Sequence, residues 1–157
     1  MKIFLLFLLA VVGTTAVAQQ RDDNEIVLVE SDDPEMVAAI RTAREGLDTF
    51  LKLASAPAAN TSEYRLKVMV RDGEDTEHFW VMPFQQTATG FSGTLANDPE
   101  VITNVEGGQE IQFSRDDISD WGYERGGRQV GSYTVCALFK NMSAEQVDYY
   151  RKYGFDC

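Results

Sequence analysis

The chain has 157 residues, 25 of them acidic and 14 basic, with a net charge of −11. A chain this size can bury its own core as one domain. Its negative field repels nucleic acid and anionic membrane, so nucleic-acid binding is excluded and a soluble protein, or one that meets a basic partner, is left.

Met1-Lys2 precedes an uninterrupted apolar run from Ile3 to Val12, then Ala16-Val17-Ala18. A basic start, a short apolar stretch and a small-residue cleavage site predict a secretory signal peptide over residues 1–18, with a mature start at Gln19. The run is too short to span a bilayer. No cysteine follows the cleavage site, so no membrane anchor is expected after cleavage. The expected mature chain, residues 19–157, is one periplasmic or secreted domain of net charge −12. Its two cysteines, Cys136 and Cys157, travel an oxidising route, where a disulfide is plausible; two free thiols are the alternative.

Ile26 to Val29 is an apolar run, either an edge strand or a segment tucked onto the core. Asp33-Pro34-Glu35 signals a helix start: an N-cap carboxylate, proline at the first position and an acid at the positive end. Met36, Ile40, Ala43, Leu47, Phe50 and Leu51 then recur at helical spacing, which predicts an amphipathic helix over 34–54 with Ile40 and Leu47 buried. Tyr64 to Arg71 alternates as a strand. Asp72-Gly73 predicts a hairpin, and Glu77 to Met82 the return strand, which Pro83 ends. Phe79 and Val81 share one face; His78, Trp80 and Met82 share the other, as in a strand covered on both sides. Phe91–Ala96 and Glu110–Phe113 follow as strands. Ser114 and Asp117 predict a capped turn through Ile118. Gly126-Gly127 reads as the turn of a closing hairpin, whose second strand runs from Arg128 to Phe139. Ser143 to Gln146 forms a capping box that opens a short helix to Lys152. The expected fold is α+β: a curved antiparallel sheet with the long helix on one face and a short C-terminal helix.

Five segments in this order carry a family resemblance: Ser31-Asp-Asp-Pro-Glu-Met36, Glu77-His-Phe-Trp80, Phe91-Ser-Gly-Thr-Leu-Ala-Asn97, Ile118-Ser-Asp-Trp121 and Gly131-Ser-Tyr-Thr134. Together they resemble the YegJ-like family of bacterial proteins, a domain of unknown function, over about residues 26–155. The resemblance implies a bacterial protein with one compact domain. It brings no activity and no catalytic residues, and the cysteine pair lies outside the shared pattern.

No nucleophile elbow, metalloprotease helix, Cys-x-x-Cys or P-loop is present. No catalytic residue, metal site or cofactor is expected. Ser92, between Gly90 and Gly93, has no base paired to it by spacing. His78 is the single histidine, and Glu77 beside it points to the opposite face of the strand. Asp116, Asp117 and Asp120 lack the spacing of a calcium loop. Trp80 and Trp121 are candidate aromatic anchors, with core packing as the alternative. Two functions from different classes follow. The first is an exported, non-catalytic binding module, an inhibitor or protective protein for a basic protein partner, with Trp121, Asp120, Asp117, Trp80 and His78 on its working surface. The second is a hydrolytic enzyme that uses His78 with a carboxylate of the Asp116–Asp120 corner.

Overall fold

Helix α1 (Pro34–Ser55) starts where the sequence signals it. Asp33 accepts hydrogen bonds from the backbone N–H groups of Glu35 and Met36, at 2.9 and 3.1 Å. These coordinates are a computed structural model and describe residues 33–157. The expected signal peptide over residues 1–18 and the Ile26–Val29 run fall outside the described residues.

Six strands follow: β1 (Thr61–Asp72), β2 (Asp75–Gln86), β3 (Phe91–Leu95), β4 (Glu110–Phe113), β5 (Ile118–Arg125) and β6 (Arg128–Gly131). They form one open antiparallel sheet in the order β4-β3-β2-β1-β5-β6. Two further helices, α2 (Tyr133–Leu138) and α3 (Ala144–Lys152), close the chain. The α+β architecture is the expected one. The β5–β6 turn places Gly126 and Gly127 at φ 56° and 77°, the left-handed pair that a tight two-residue hairpin needs.

One face of the sheet carries Leu66, Val68, Phe79, Val81, Trp121 and Tyr123, all buried with Ala43, Leu47 and Phe50 of α1. The helix stripe therefore packs as its spacing requires, although Ile40 is only half-buried. Trp121 lies flat on α1 at Gly46, where an added Cβ would stand 2.9 Å from the indole ring. Its Nε1–H donates to the Ala43 carbonyl at 2.7 Å.

Two expected elements are corrected. Pro83 does not end β2. The strand carries it, after a cis Met82–Pro83 bond, to Gln86. The ladder to β3 skips from Val81↔Leu95 to Phe84↔Gly93, so the proline occupies an irregularity where its missing N–H breaks no bond. The second correction is at Tyr133–Phe139, which is not a strand. β6 stops at Gly131, and Gly131 and Ser132 take φ of 79° and 55°, turning the chain out of the sheet. A mostly apolar run such as Tyr133-Thr-Val-Cys-Ala-Leu138 suits a buried strand or a short helix equally; the turn decides for α2.

Cys136 of α2 is bridged to Cys157, with an S–S distance of 2.01 Å. No side chain of α3 is fully buried, so this bond and the pairing of Gln129 with Gly154 hold the C-terminal segment to the sheet edge. Replacing Cys157 with serine should lower stability by about 3 kcal/mol, because the unfolded chain regains loop entropy. Denaturant titration checks this, and an unchanged midpoint would contradict it.

Candidate functional site

The outer face of the sheet, away from α1, carries the polar residues that the sequence singled out. Lys67 pairs with Trp80 on β2 and with Asp120 on β5. The β1–β5 register then slips, from Lys67↔Asp120 to Val68↔Ile118, so Ser119 is an extra residue in β5. This bulge sends the Ser119 hydroxyl to His78, 2.8 Å from Nδ1 and 3.2 Å from the Lys67 carbonyl. Ser119 is 2% exposed, so no substrate reaches its oxygen. The pair pins the bulge and does not form a nucleophilic centre.

The carboxylates of the corner are used elsewhere. Asp120 is fully buried. Its Oδ2 accepts from the Thr134 N–H and hydroxyl at 2.8 and 2.7 Å, and its Oδ1 accepts from the Trp121 N–H at 2.8 Å. Asp120 thus caps the start of α2 from β5. Asp117 accepts from the Ser114 N–H and hydroxyl and pairs with Arg71 at 3.2 Å. Asp116 is exposed, and its backbone carbonyl accepts from Arg44 at 2.8 Å. His78 therefore has a serine as its partner, and the structure brings no carboxylate of this corner to it.

The structure also corrects the expected working surface. Trp121 is 7% exposed and belongs to the core, because strand alternation turns it toward α1. Both Asp120 oxygens accept, so Asp120→Asn sets its amide NH2 against either the Thr134 donors or the Trp121 N–H and should destabilise the fold. Trp80 and His78 do lie on the outer face, with Trp80 half-buried and His78 exposed. Trp80 is flanked by cations: the Arg65 guanidinium is 4.8 Å and the Lys67 ammonium 5.5 Å from its ring centroid. Ser92 is buried on β3 and accepts from the Gln85 side chain.

Desolvation of the imidazole, then the positive charges of Lys67, Arg44 and Arg71, lower the His78 pKa from 6.5 to about 4. Solvent on the exposed side of the ring moderates the shift without reversing it. His78 is therefore neutral at pH 7. The unfolded chain takes up the proton first, so this residue's contribution to stability is complete above pH 6.5 and is lost as pH falls toward 4. NMR titration of the single imidazole should show a midpoint well below 6.5. The stability advantage of wild type over His78→Gln should shrink on acidification, and a midpoint of 6.5 or above would contradict the geometry.

The charge is divided along the chain in a way that composition alone concealed. No lysine or arginine occurs between Arg71 and Arg115, whereas eight acids do: Asp72, Glu74, Asp75, Glu77, Asp98, Glu100, Glu106 and Glu110. The other described residues carry 12 basic and 12 acidic side chains and are neutral as a set. The net charge of the described residues thus falls on the β1–β2 turn with the strand ends beside it, on β4 and on the loop between β3 and β4.

Glu77 and Asp72 fasten that loop across the hairpin end. Glu77 Oε2 accepts from the N–H groups of Glu100, Val101 and Ile102, at 3.1, 3.0 and 3.2 Å. Asp72 Oδ2 accepts from the Thr103 N–H and hydroxyl at 3.0 and 3.1 Å. The remaining six acids are exposed around it, with Val101 at 47% exposure among them. Beside them lies a groove of about 450 Å³ between β4 and the end of β1, where Val68, Val70, Val105, Ile111 and Phe113 are apolar lining. No group of three or more metal-ligating side chains is assembled among the described residues.

The profile of a bacterial family, described as "Uncharacterized protein conserved in bacteria (DUF2314)", matches residues 33–157. The chain belongs to this family. It is 36% identical over 148 residues to the "Uncharacterized protein YegJ" of Escherichia coli K12, covering 94% of this chain and 95% of that protein. It is also 36% identical over 75 residues to the "Putative ankyrin repeat protein NMB1133/NMB1171" of Neisseria meningitidis serogroup B, over 48% of this chain and 30% of that protein. No solved structure matches. The family match begins at the cap of α1 and covers every element that builds the outer face and the acidic half.

Proposed function

We propose that this DUF2314 protein is an exported, non-catalytic binding domain that recognises a basic protein partner through its acidic half, as an inhibitor or protective protein does. One observation carries the reading: eight acids and no lysine or arginine between Arg71 and Arg115, with six of the eight exposed around a tethered loop. A one-sign patch of this kind steers an oppositely charged partner and speeds encounter. The bridged Cys136 and Cys157, together with the apolar start of the chain, support export. Among the described residues no helix is long and apolar enough to cross a membrane.

The test uses a basic protein captured from the native envelope fraction. The variant Glu74→Lys, Asp75→Lys, Glu100→Lys reverses three exposed charges. It should slow association about tenfold or more while changing dissociation little, and added salt should slow the wild-type rate toward it. His78→Gln should bind as wild type does. Association that is indifferent to both salt and charge reversal would overturn the reading.

A further inference from the structure

The groove beside β4 has the features of a slot for an extended chain. β4 is an edge strand, and among the described residues it pairs only with β3. Alternate N–H and C=O groups of such an edge point away from the sheet and are open to another strand. Across the groove, β1 continues to Asp72 but has no β5 partner beyond Val68↔Ile118. The slot is thus bounded by β4 on one side and by the end of β1 on the other, and its lining mixes Val70, Val105 and Ile111 with the polar Gln109, Gln112 and Asp117.

The charge beside the slot limits what can occupy it. Glu110 is exposed on β4 and Glu106 on the approach to it, while Arg71, the cation on the rim, is engaged by Asp117. An acidic or neutral strand would gain nothing at Glu110; a basic residue opposite it gains a cross-strand ion pair. A second copy of this chain would set Glu110 near the same acid, which opposes β4–β4 pairing. We infer that the partner binds as an added strand: an extended segment of alternating basic and apolar residues pairs with β4, its apolar side chains in the groove and its basic ones toward Glu110. Backbone hydrogen bonds to the edge supply affinity, and the groove and Glu110 supply selectivity. This rests on the basic-partner reading and specifies how such a partner would be held.

The experiment uses the whole protein and three synthetic hexapeptides. One is Lys-Val-Lys-Val-Lys-Val. The second is the same peptide with alternate backbone amides methylated, which keeps charge and side chains but blocks strand pairing. The third is Glu-Val-Glu-Val-Glu-Val. The first should bind and protect β4 amides from hydrogen exchange. Methylation should weaken it about tenfold or more, Glu110→Lys should weaken it likewise, and the acidic peptide should not bind. Equal binding of the methylated peptide would overturn strand addition while leaving the basic-partner reading standing. Protection confined to the Glu74–Glu100 end would do the same. Failure of both lysine peptides to bind at low salt would overturn both. Dimerisation of the free protein with β4 protected would overturn the inference in favour of a second copy.

Discussion

Replacing Asp120 with alanine is expected to destabilise the protein by about 3 kcal/mol, and by more if the Lys67 ammonium stays charged. Asp120 is fully buried and accepts three hydrogen bonds, two of them from Thr134 at the start of α2. The Thr134 hydroxyl in turn accepts from Lys67 Nζ at 3.2 Å, so the carboxylate and the ammonium are joined through one threonine. Burial lowers the Lys67 pKa and Asp120 opposes that; burial raises the Asp120 pKa, and the Thr134 and Trp121 donors with Lys67 oppose it. Alanine leaves the three donors without their acceptor and the Lys67 ammonium without the carboxylate charge that offsets its burial. Thr134→Val tests the same network from the other side and should cost less, because the Thr134 backbone N–H still reaches Asp120. Thermal melts of the two variants settle it; an Asp120→Ala protein as stable as wild type would show that α2 does not depend on this cap.

Phe50→Ala should cost about 3–5 kcal/mol. Its ring is wholly buried and lies 4.9 Å from Trp121, 6.0 Å from Tyr64 and Phe84, and 6.4 Å from Tyr123, centroid to centroid. These four rings come from β1, β2 and β5, so one α1 side chain joins three strands. Removing it opens a cavity among rigid aromatic groups, which collapse poorly into an empty space. Phe50→Leu should recover most of the loss. Denaturant unfolding of both variants is the check, and a loss below about 1 kcal/mol for alanine would mean the rings close over the gap.

The fold was legible where a local rule and the global pattern agreed. The α1 cap and stripe, both glycine turns, the Ser114–Asp117 turn and the Ser143 capping box each declare themselves within a few residues. A proline in a strand signals a stop, so the sequence predicts a β2 that ends before Pro83; only the register with β3 shows that this one sits in an irregularity. Nothing local marks α2 as a helix, because its cap, Asp120, lies 14 residues earlier in the chain.

Trp121 and Asp120 depart from the expected working surface for a related reason. An acid next to a tryptophan is the same short sequence whether it faces water or the core. Only the register Leu66↔Trp121 places the indole against α1. His78 and Ser119 are 41 residues apart and meet through a bulge, which no spacing rule anticipates. The acidic half was present in the sequence as a stretch without lysine or arginine, but net charge averaged over the chain hid it. The distribution of charge was the informative quantity.

Hydrogen exchange mapped on the complex with a basic partner tests the central claim most directly. The account predicts new protection between Asp72 and Phe113, strongest in the β3–β4 loop and β4, with α1 and α3 unchanged. Protection centred on α1, β6 or α3, with residues 72–113 exchanging as in the free protein, would contradict it.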